Sequence, residues 1–176
     1  MKTKFNFSAI VFLIILFNVN LAIAGWTTQT SNDEMDGTTN CFAHSQDVRP
    51  TKAMSFPYAK VRAWLGVGTD GKSEWAYIGF SEEPNIINKK VGNGYGTIKT
   101  RIKWGDRVEE ISLTQDWGSK FIHFNYDSQI IAKIAKHGKV MIELDWFRQG
   151  KRYFVFSLQG SSAALAKIRN SCGRKK

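Results

Sequence analysis

The sequence predicts a mainly β protein: an antiparallel β-sandwich or a curled sheet with two short helices, the last at the C-terminus. Three observations predict this class. Apolar and polar residues alternate with a period of two along most of the chain. Glycine-containing turns, an Asp-Gly turn among them, separate the alternating segments at short intervals. The period changes to that of a helix in two places, and one of these closes the domain.

The first segment of the chain is typical of a cleavable signal peptide. Two lysines precede an apolar run at 9–17, which holds roughly 9 residues against the ~20 that span a bilayer. Ala22 and Ala24 then provide the small residues of a signal-peptidase site. We therefore expect residues 1–24 to be removed and residues 25–176 to form a single β-rich domain, with a permanent membrane anchor as the alternative.

Composition and charge limit the partners. The chain holds 43% apolar and 13% aromatic residues, enough for a core, and its net charge is +10. A positive protein attracts anionic partners. Because an exported domain is periplasmic or secreted, we expect an envelope protein or an anionic cell-surface component, no nucleic acid, and at most peripheral membrane contact. The sequence has no motif for a cofactor or a metal ion, and we expect neither.

Cys41 and Cys172 are the two cysteines of the chain. In an oxidising compartment such a pair favours one disulfide, which here would join the start of the domain to its last helix. The alternative is a catalytic or metal-binding thiol pair. There is no C-x-x-C spacing, however, and His44 alone lies near either cysteine in the sequence. We therefore expect a structural bridge.

Alternation and turn residues predict seven or eight strands. The clearest hairpin turns at Asp70-Gly71, and Trp64 lies on the polar side of its first strand. Helical spacing places Ile130 and Ile134 on one face of a helix that Asp127 or Ser128 caps; a second helix begins after Gly160. The segments are strands at 60–68, 73–80, 97–104, 107–114, 120–124, 140–147 and 152–158, and helices at 127–137 and 161–172.

Lys99, Arg101 and Lys103 form a basic stripe. Residues two apart leave the same face of a strand about 7 Å from one another. With Lys89 and Lys90 close in the sequence, the stripe is a candidate site for an anion or a partner protein. The simpler interpretation is a solvated strand face that keeps the sheet soluble.

Glu143 and Asp145 are candidate catalytic residues. If the hairpin closes at Gln149-Gly150, they face Phe156 and Phe154 on a largely apolar surface. Desolvation and mutual repulsion would raise the pKa of at least one carboxyl group, and an acid and a base ~7 Å apart would suit a hydrolase. The simpler interpretation is that a lysine or arginine on a neighbouring strand pairs with them.

Three further patterns can be considered as sites, and each favours a structural role. Asn32–Gly37 resembles part of a calcium loop, but Ala43 stands where the bidentate Glu is required, so a polar turn is expected. The histidines show no ligand spacing. Most of the six tryptophans fall on strands, which favours core packing, with a few lining a groove.

Several segments of the domain together form a recognisable pattern: Gly25-Trp26, 31–37, 156–165, Ile168 and Cys172 at the ends, and Thr100-Arg101-Ile102, Trp117 and Phe121 in the middle. In these segments the chain resembles a family of small exported bacterial proteins, the periplasmic type VI secretion-associated accessory family. The resemblance implies an exported, non-enzymatic, β-rich domain with a disulfide and, more loosely, a role in secretion.

The sequence thus favours an exported, non-enzymatic binding or accessory protein of the bacterial envelope. One alternative is a cell-wall-directed hydrolase that uses Glu143 and Asp145. Another is a periplasmic inhibitor or immunity protein, whose positive charge would suit an acidic target.

Overall fold

The structure is a computed structural model that describes residues 25–173. The predicted signal peptide lies outside this range. The elements in chain order are β1 (Thr27–Asn32), β2 (Thr39–His44), β3 (Ala63–Thr69), β4 (Glu74–Phe80), β5 (Lys89–Gly92), β6 (Tyr95–Trp104), β7 (Arg107–Asp116), β8 (Phe121–Phe124), α1 (Asp127–Lys136), β9 (Lys139–Trp146), β10 (Gly150–Ser157) and α2 (Ser161–Cys172).

The strands form one antiparallel sheet. Nine of them are ordered β1-β2-β3-β4-β8-β7-β6-β9-β10, and β5 pairs with β6 beside this path. The predicted fold class is confirmed, and the chain joins neighbouring strands mostly by short hairpins, as the glycine-containing turns indicate. None of the helices between residues 25 and 173 has the length and apolar character needed to cross a membrane.

The sheet curls so that its two halves share one core. The ring of Phe80 in β4 lies 5.8 Å from that of Trp146 in β9 and 5.7 Å from that of Phe154 in β10, centroid to centroid. The segment between β2 and β3 bridges the two ends, since the Thr51 N–H donates to the Tyr153 carbonyl at 2.9 Å. The inner sides of β1, β2 and β3 are covered by α2, while α1 packs on β4.

The two helices form where their spacing predicts. Ile130, Ile131 and Ile134 are the buried residues of α1. Neither Asp127 nor Ser128 caps this helix, which corrects the expectation. Asp127 Oδ1 instead accepts the Ala76 N–H at 2.7 Å, so the carboxylate fastens the start of α1 to β4.

The predicted disulfide is confirmed. Cys41 in β2 is bonded to Cys172 in α2, with 6.0 Å between the Cα atoms and a sequence separation of 131. Because both side chains are buried, the bond lies in the layer between α2 and the sheet. It fixes the last helix to the first hairpin.

The sheet has ten strands rather than seven or eight, because β1, β2 and β5 go beyond the prediction. β1 is an edge strand and is polar along its length, so it lacks the alternation that marks a half-buried strand. β5 has four residues and pairs with β6 across a turn at Asn93-Gly94. The polar turn expected at 32–37 is confirmed and joins β1 to β2, with the Asp33 N–H donating to Thr38 O at 2.8 Å.

Candidate functional site

The basic stripe lies on the outer side of β6. Lys99, Arg101 and Lys103 alternate with buried residues, as the pattern predicts. The three cations are not equivalent, because the guanidinium of Arg101 is held by Glu143 in β9: Nε donates to Oε1 at 3.2 Å and Nη2 donates to Oε2. Arg101, the middle residue of the stripe, therefore forms an ion pair within the protein.

Glu143 is a buried carboxylate between two cations. Its residue is 7% exposed, and Lys151 Nζ lies 3.2 Å from Oε1 on the side away from β6. The hydrogen bond from Arg101 is the largest cause that lowers the pKa of Glu143 below its ordinary value, against the opposing effect of burial. The expectation of a raised pKa is wrong for this carboxyl group, and the expected pairing with a neighbouring strand is what the structure contains.

The register of the β9–β10 hairpin differs by three residues from the expectation. Glu143 pairs with Tyr153 and Asp145 pairs with Lys151. Phe154 and Phe156 therefore point to the opposite side of the sheet, where both are fully buried in the core. A shift by an odd number of residues moves every side chain of a strand to the other face, so the two carboxylates do not face the phenylalanines predicted beside them.

The turn explains this shift. Trp146 pairs with Gly150, which leaves three residues in the loop rather than a turn centred on Gln149-Gly150. Arg148 has φ 57° and Gly150 has φ 68°, the left-handed conformations that a three-residue hairpin loop with a bulge requires. The glycine is thus the residue that ends the loop.

The two candidate catalytic carboxylates do not form an acid–base pair. A glycoside hydrolase needs one carboxyl group that remains protonated and gives its proton to the leaving oxygen. Glu143 is held in the ionised form between Arg101 and Lys151. Asp145 lies on the same side of β9, opposite Lys151 in the register, so it too faces a cation. The lowered pKa of Glu143 is the opposite of what a general acid needs.

Glu143 instead fastens two strands where they part. Backbone pairing between β6 and β9 covers three residue pairs and ends at Ile102–Ile142. Beyond that point Thr100 Oγ1 donates to the Glu143 carbonyl at 2.5 Å, and Arg101 holds its side chain. Side-chain bonds thus replace the missing ladder hydrogen bonds at the split of the sheet.

The other half of the outer surface carries glycine–aromatic pairs on β3 and β4. Each pair consists of one glycine and one large ring in register, namely Trp64–Gly79, Gly66–Tyr77 and Gly68–Trp75. A Cβ at Gly79 would stand 2.3 Å from the Trp64 ring, and at Gly66 or Gly68 it would stand 2.4 Å from the partner ring. Each ring therefore covers the bare backbone of its glycine and lies low against the sheet.

Neighbouring strands extend this surface. We define the aromatic face as the outer side chains Phe42 and His44 of β2, Trp64 of β3, Trp75 and Tyr77 of β4, and Phe121 and His123 of β8. The ring of Phe121 stands nearly perpendicular to those of Trp64 and Tyr77, at 81° and 82°. Phe121 is 41% exposed and forms an upright wall beside the low rings.

Polar groups border a shallow groove in the aromatic face. Gln29, His44 and Asp47 line it together with the rings, in a volume of about 390 Å³. Asp47 Oδ2 lies 3.6 Å from Arg62 Nη1, so the two charges at this edge balance. Burial raises the pKa of Tyr77, which keeps its hydroxyl protonated at neutral pH. The groove combines ring surfaces with a few hydrogen-bonding groups, the composition of a small-ligand site.

The sequence contains a signal for this face that period-two alternation alone does not reveal. Trp64 falls on the polar side of its strand in the alternation, and the structure places it there. Glycines follow it on the same side at 66 and 68, and β4 mirrors the order with Trp75, Tyr77 and Gly79. Large rings opposite glycines on an outward face are the pattern that marks the site.

Other classes of site find no support in the residues described. No group of three or more His, Cys, Asp or Glu within 25–173 is placed to hold a metal ion. No known protein family, curated protein or solved structure matches this chain.

Proposed function

We propose that this chain is an exported, non-enzymatic binding protein of the bacterial envelope and that its binding surface is the aromatic face. One observation carries the proposal: three rings lie over glycines on the outer side of β3 and β4, and Phe121 stands beside them partly exposed. Contiguous apolar surface that faces solvent is a candidate interaction site, and here rings are gathered on one side of neighbouring strands.

The charge distribution supports binding rather than catalysis. Glu143 is ionised and held by two cations, which leaves the hydrolase hypothesis without a proton donor at this position. The aromatic face has no nucleophile beside a base; its groove is lined by rings, an amide, an imidazole and one carboxylate.

Export is supported by two features of different kinds. Residues 1–24 have the sequence of a signal peptide, and the disulfide between Cys41 and Cys172 persists in oxidising compartments. A role beside type VI secretion is the finer proposal and depends on the resemblance at both ends of the domain. A periplasmic inhibitor would use the same surface on a protein partner.

Fractionation and envelope binding test the proposal together. The full chain is expressed in a bacterial host, and we expect the mature protein in the periplasm or medium with Gly25 at its N-terminus. The exported protein is then mixed with washed envelope fractions and sedimented. We expect it to pellet with the envelope and Phe121→Ala to remain in solution.

Trp117→Ala is the matched control. Trp117 is 85% exposed but lies outside the aromatic face, in the turn between β7 and β8. Equal loss of envelope binding in both variants would mean that general stickiness, and not this face, drives the association. Retention of the chain in the cytoplasm with reduced cysteines would contradict export.

A further inference from the structure

The aromatic face has the geometry of a carbohydrate platform. We infer that it binds an uncharged, β1,4-linked glycan chain by stacking sugar rings on Trp64 and Trp75, the two partly exposed low rings of β3 and β4, while Tyr77 between them is buried. The inference depends on the proposed binding surface and names its ligand. A β-linked pyranose presents a flat face of axial C–H groups, and aromatic ring faces offer the complementary apolar surface.

The rings form a row of limited width. Successive residue pairs on one face stand about 7 Å apart along the strands, so the Trp64–Gly79 and Gly68–Trp75 pairs are about 14 Å apart. The glycines keep the row low, because a side chain at any of them would lift the ring that covers it. A low, extended row fits an oligosaccharide whose ring faces lie in one plane.

The area of the face favours a thin ligand over a protein. The four strands β2, β3, β4 and β8 are about 4.8 Å apart, so the face measures on the order of 200 Å². A stable protein interface buries about 800 Å² on each partner. The ring surface is therefore too small to hold a protein partner by itself.

The charge of the face favours a neutral ligand. The chain has net charge +10, yet the groove is lined by one carboxylate, Asp47, whose charge Arg62 balances. An anionic polymer would be drawn to the lysines of β6 on the other half of the sheet instead. The aromatic face has no excess of positive charge to hold it.

Hydrogen-bonding groups stand where sugar hydroxyls would lie. Gln29, His44 and Asp47 border the groove on one side, and Arg62 extends this edge through its contact with Asp47. Planar amide and carboxylate groups accept and donate paired hydrogen bonds, which orient a ring that stacking alone leaves free to slide.

The test is an NMR titration of the exported, ¹⁵N-labelled protein with chitotetraose, a β1,4-linked tetrasaccharide. We expect the indole N–H signals of Trp64 and Trp75 to shift and that of Trp117 to stay in place. Phe121→Ala should weaken the affinity by about tenfold, since it removes the wall that holds the chain on the row. Trp117→Ala should leave the affinity unchanged.

Asp47→Asn provides a second variant that does not touch the rings. It keeps the shape of the side chain and removes its charge, and we expect the affinity to fall severalfold. Maltotetraose, an α-linked tetrasaccharide, should bind at least about tenfold more weakly because its rings do not share a plane. Pelleting with insoluble chitin, an uncharged β1,4-linked polymer, distinguishes a polymeric ligand from a free oligosaccharide, and either one supports the inference.

Three results would overturn the inference. Equal affinity for both tetrasaccharides would show no recognition of a flat chain. A preference for heparin-derived oligosaccharides would show that charge directs binding. The protein could also bind the envelope in a way that requires Phe121 and yet show no NMR response to any glycan. That result would leave the proposed function in place and indicate a protein ligand. Loss of envelope binding as well would remove both proposals.

Discussion

The outer surface of the sheet differs between its two halves in the kind of side chain that faces solvent. On β6, β9 and β10 charged side chains stand among Met141, Tyr153 and Val155 on the outer side, and Arg101, Glu143 and Lys151 join into one ion-paired group. On β2, β3, β4 and β8 the outward side chains are aromatic, and glycines make room for them. Between the two halves, Ser112 and Thr114 of β7 form hydrogen bonds with Asn125.

The ion-paired half holds strands together, whereas the aromatic half leaves a surface open to solvent. In the charged half, side chains satisfy one another and replace backbone pairing where β6 and β9 part. In the aromatic half, Phe121 and the groove beside it remain open to solvent. Burial of that apolar surface by a ligand would release free energy, whereas disturbing the ion pairs would cost it.

Removing the disulfide should have the largest effect. The bond anchors α2 beneath the aromatic half, so Cys41→Ser with Cys172→Ser should lower the free energy of unfolding by about 2–5 kcal/mol. Urea denaturation followed by tryptophan fluorescence measures the change. If the double variant instead lost protection from hydrogen exchange only in β9 and β10, the disulfide would not be the anchor of α2.

Filling one glycine should have the next largest effect. Gly79→Ala places a Cβ 2.3 Å from the Trp64 ring, so the ring must move, and we expect a loss of about 1–3 kcal/mol in the free energy of unfolding. The fluorescence of Trp64 should shift to the red as the ring leaves the sheet.

Gly92→Ala is the control for this change. Gly92 lies in β5, and a Cβ there would meet nothing within 4 Å. We expect its stability to stay within about 0.5 kcal/mol of the wild type. An equal loss in both variants would mean that the rings do not depend on the bare backbone beneath them.

Glu143→Gln should have a smaller effect that depends on pH. Arg101 and Lys151 are half exposed and regain water when the charge is removed, so we expect a loss of about 1–2 kcal/mol at pH 7. The folded-state pKa of Glu143 is lowered, so its stabilisation is complete above the ordinary value of 4.5 and is lost as the pH falls through the folded-state value.

Denaturant unfolding from pH 7 to pH 2 measures this dependence. The wild type and Glu143→Gln should differ by a constant amount down to about pH 5 and then converge. A difference that grows as the pH falls would mean that the carboxyl group is stabilised in its protonated form, as the hydrolase hypothesis requires.

Lys99→Ala should have the smallest effect. Lys99 is exposed, and removing such a side chain changes the free energy of unfolding by less than about 0.5 kcal/mol. Arg101→Ala, two residues away on the same face, should destabilise the protein measurably more because it leaves Glu143 with one cation instead of two. Equal melting temperatures for the two variants would show that Lys99 and Arg101 contribute equally to stability, which would contradict the special role of the Arg101–Glu143 ion pair.

Alternation predicted the fold class, a change to helical spacing predicted the two helices, and the presence of two cysteines predicted the disulfide, because each depends on local periodicity or on residue type. The strands it missed are polar or very short, such as β1 and β5. The partner of Glu143 depends on which strands become neighbours, and β6 and β9 are about forty residues apart. An error in the position and length of one hairpin loop moved the register by three residues, which was sufficient to misplace the surroundings of both carboxylates.

The bridge between the first hairpin and the last helix sets an order of events during biosynthesis. Cys41 emerges from the ribosome 131 residues before Cys172, an interval on the order of 10 s at usual rates of synthesis. Throughout that interval Cys41 is a thiol without its partner, and β2 lacks the helix that covers its inner side. Closure of the domain is therefore a late, nearly final step, and a chain truncated before α2 would retain a reactive sulfur.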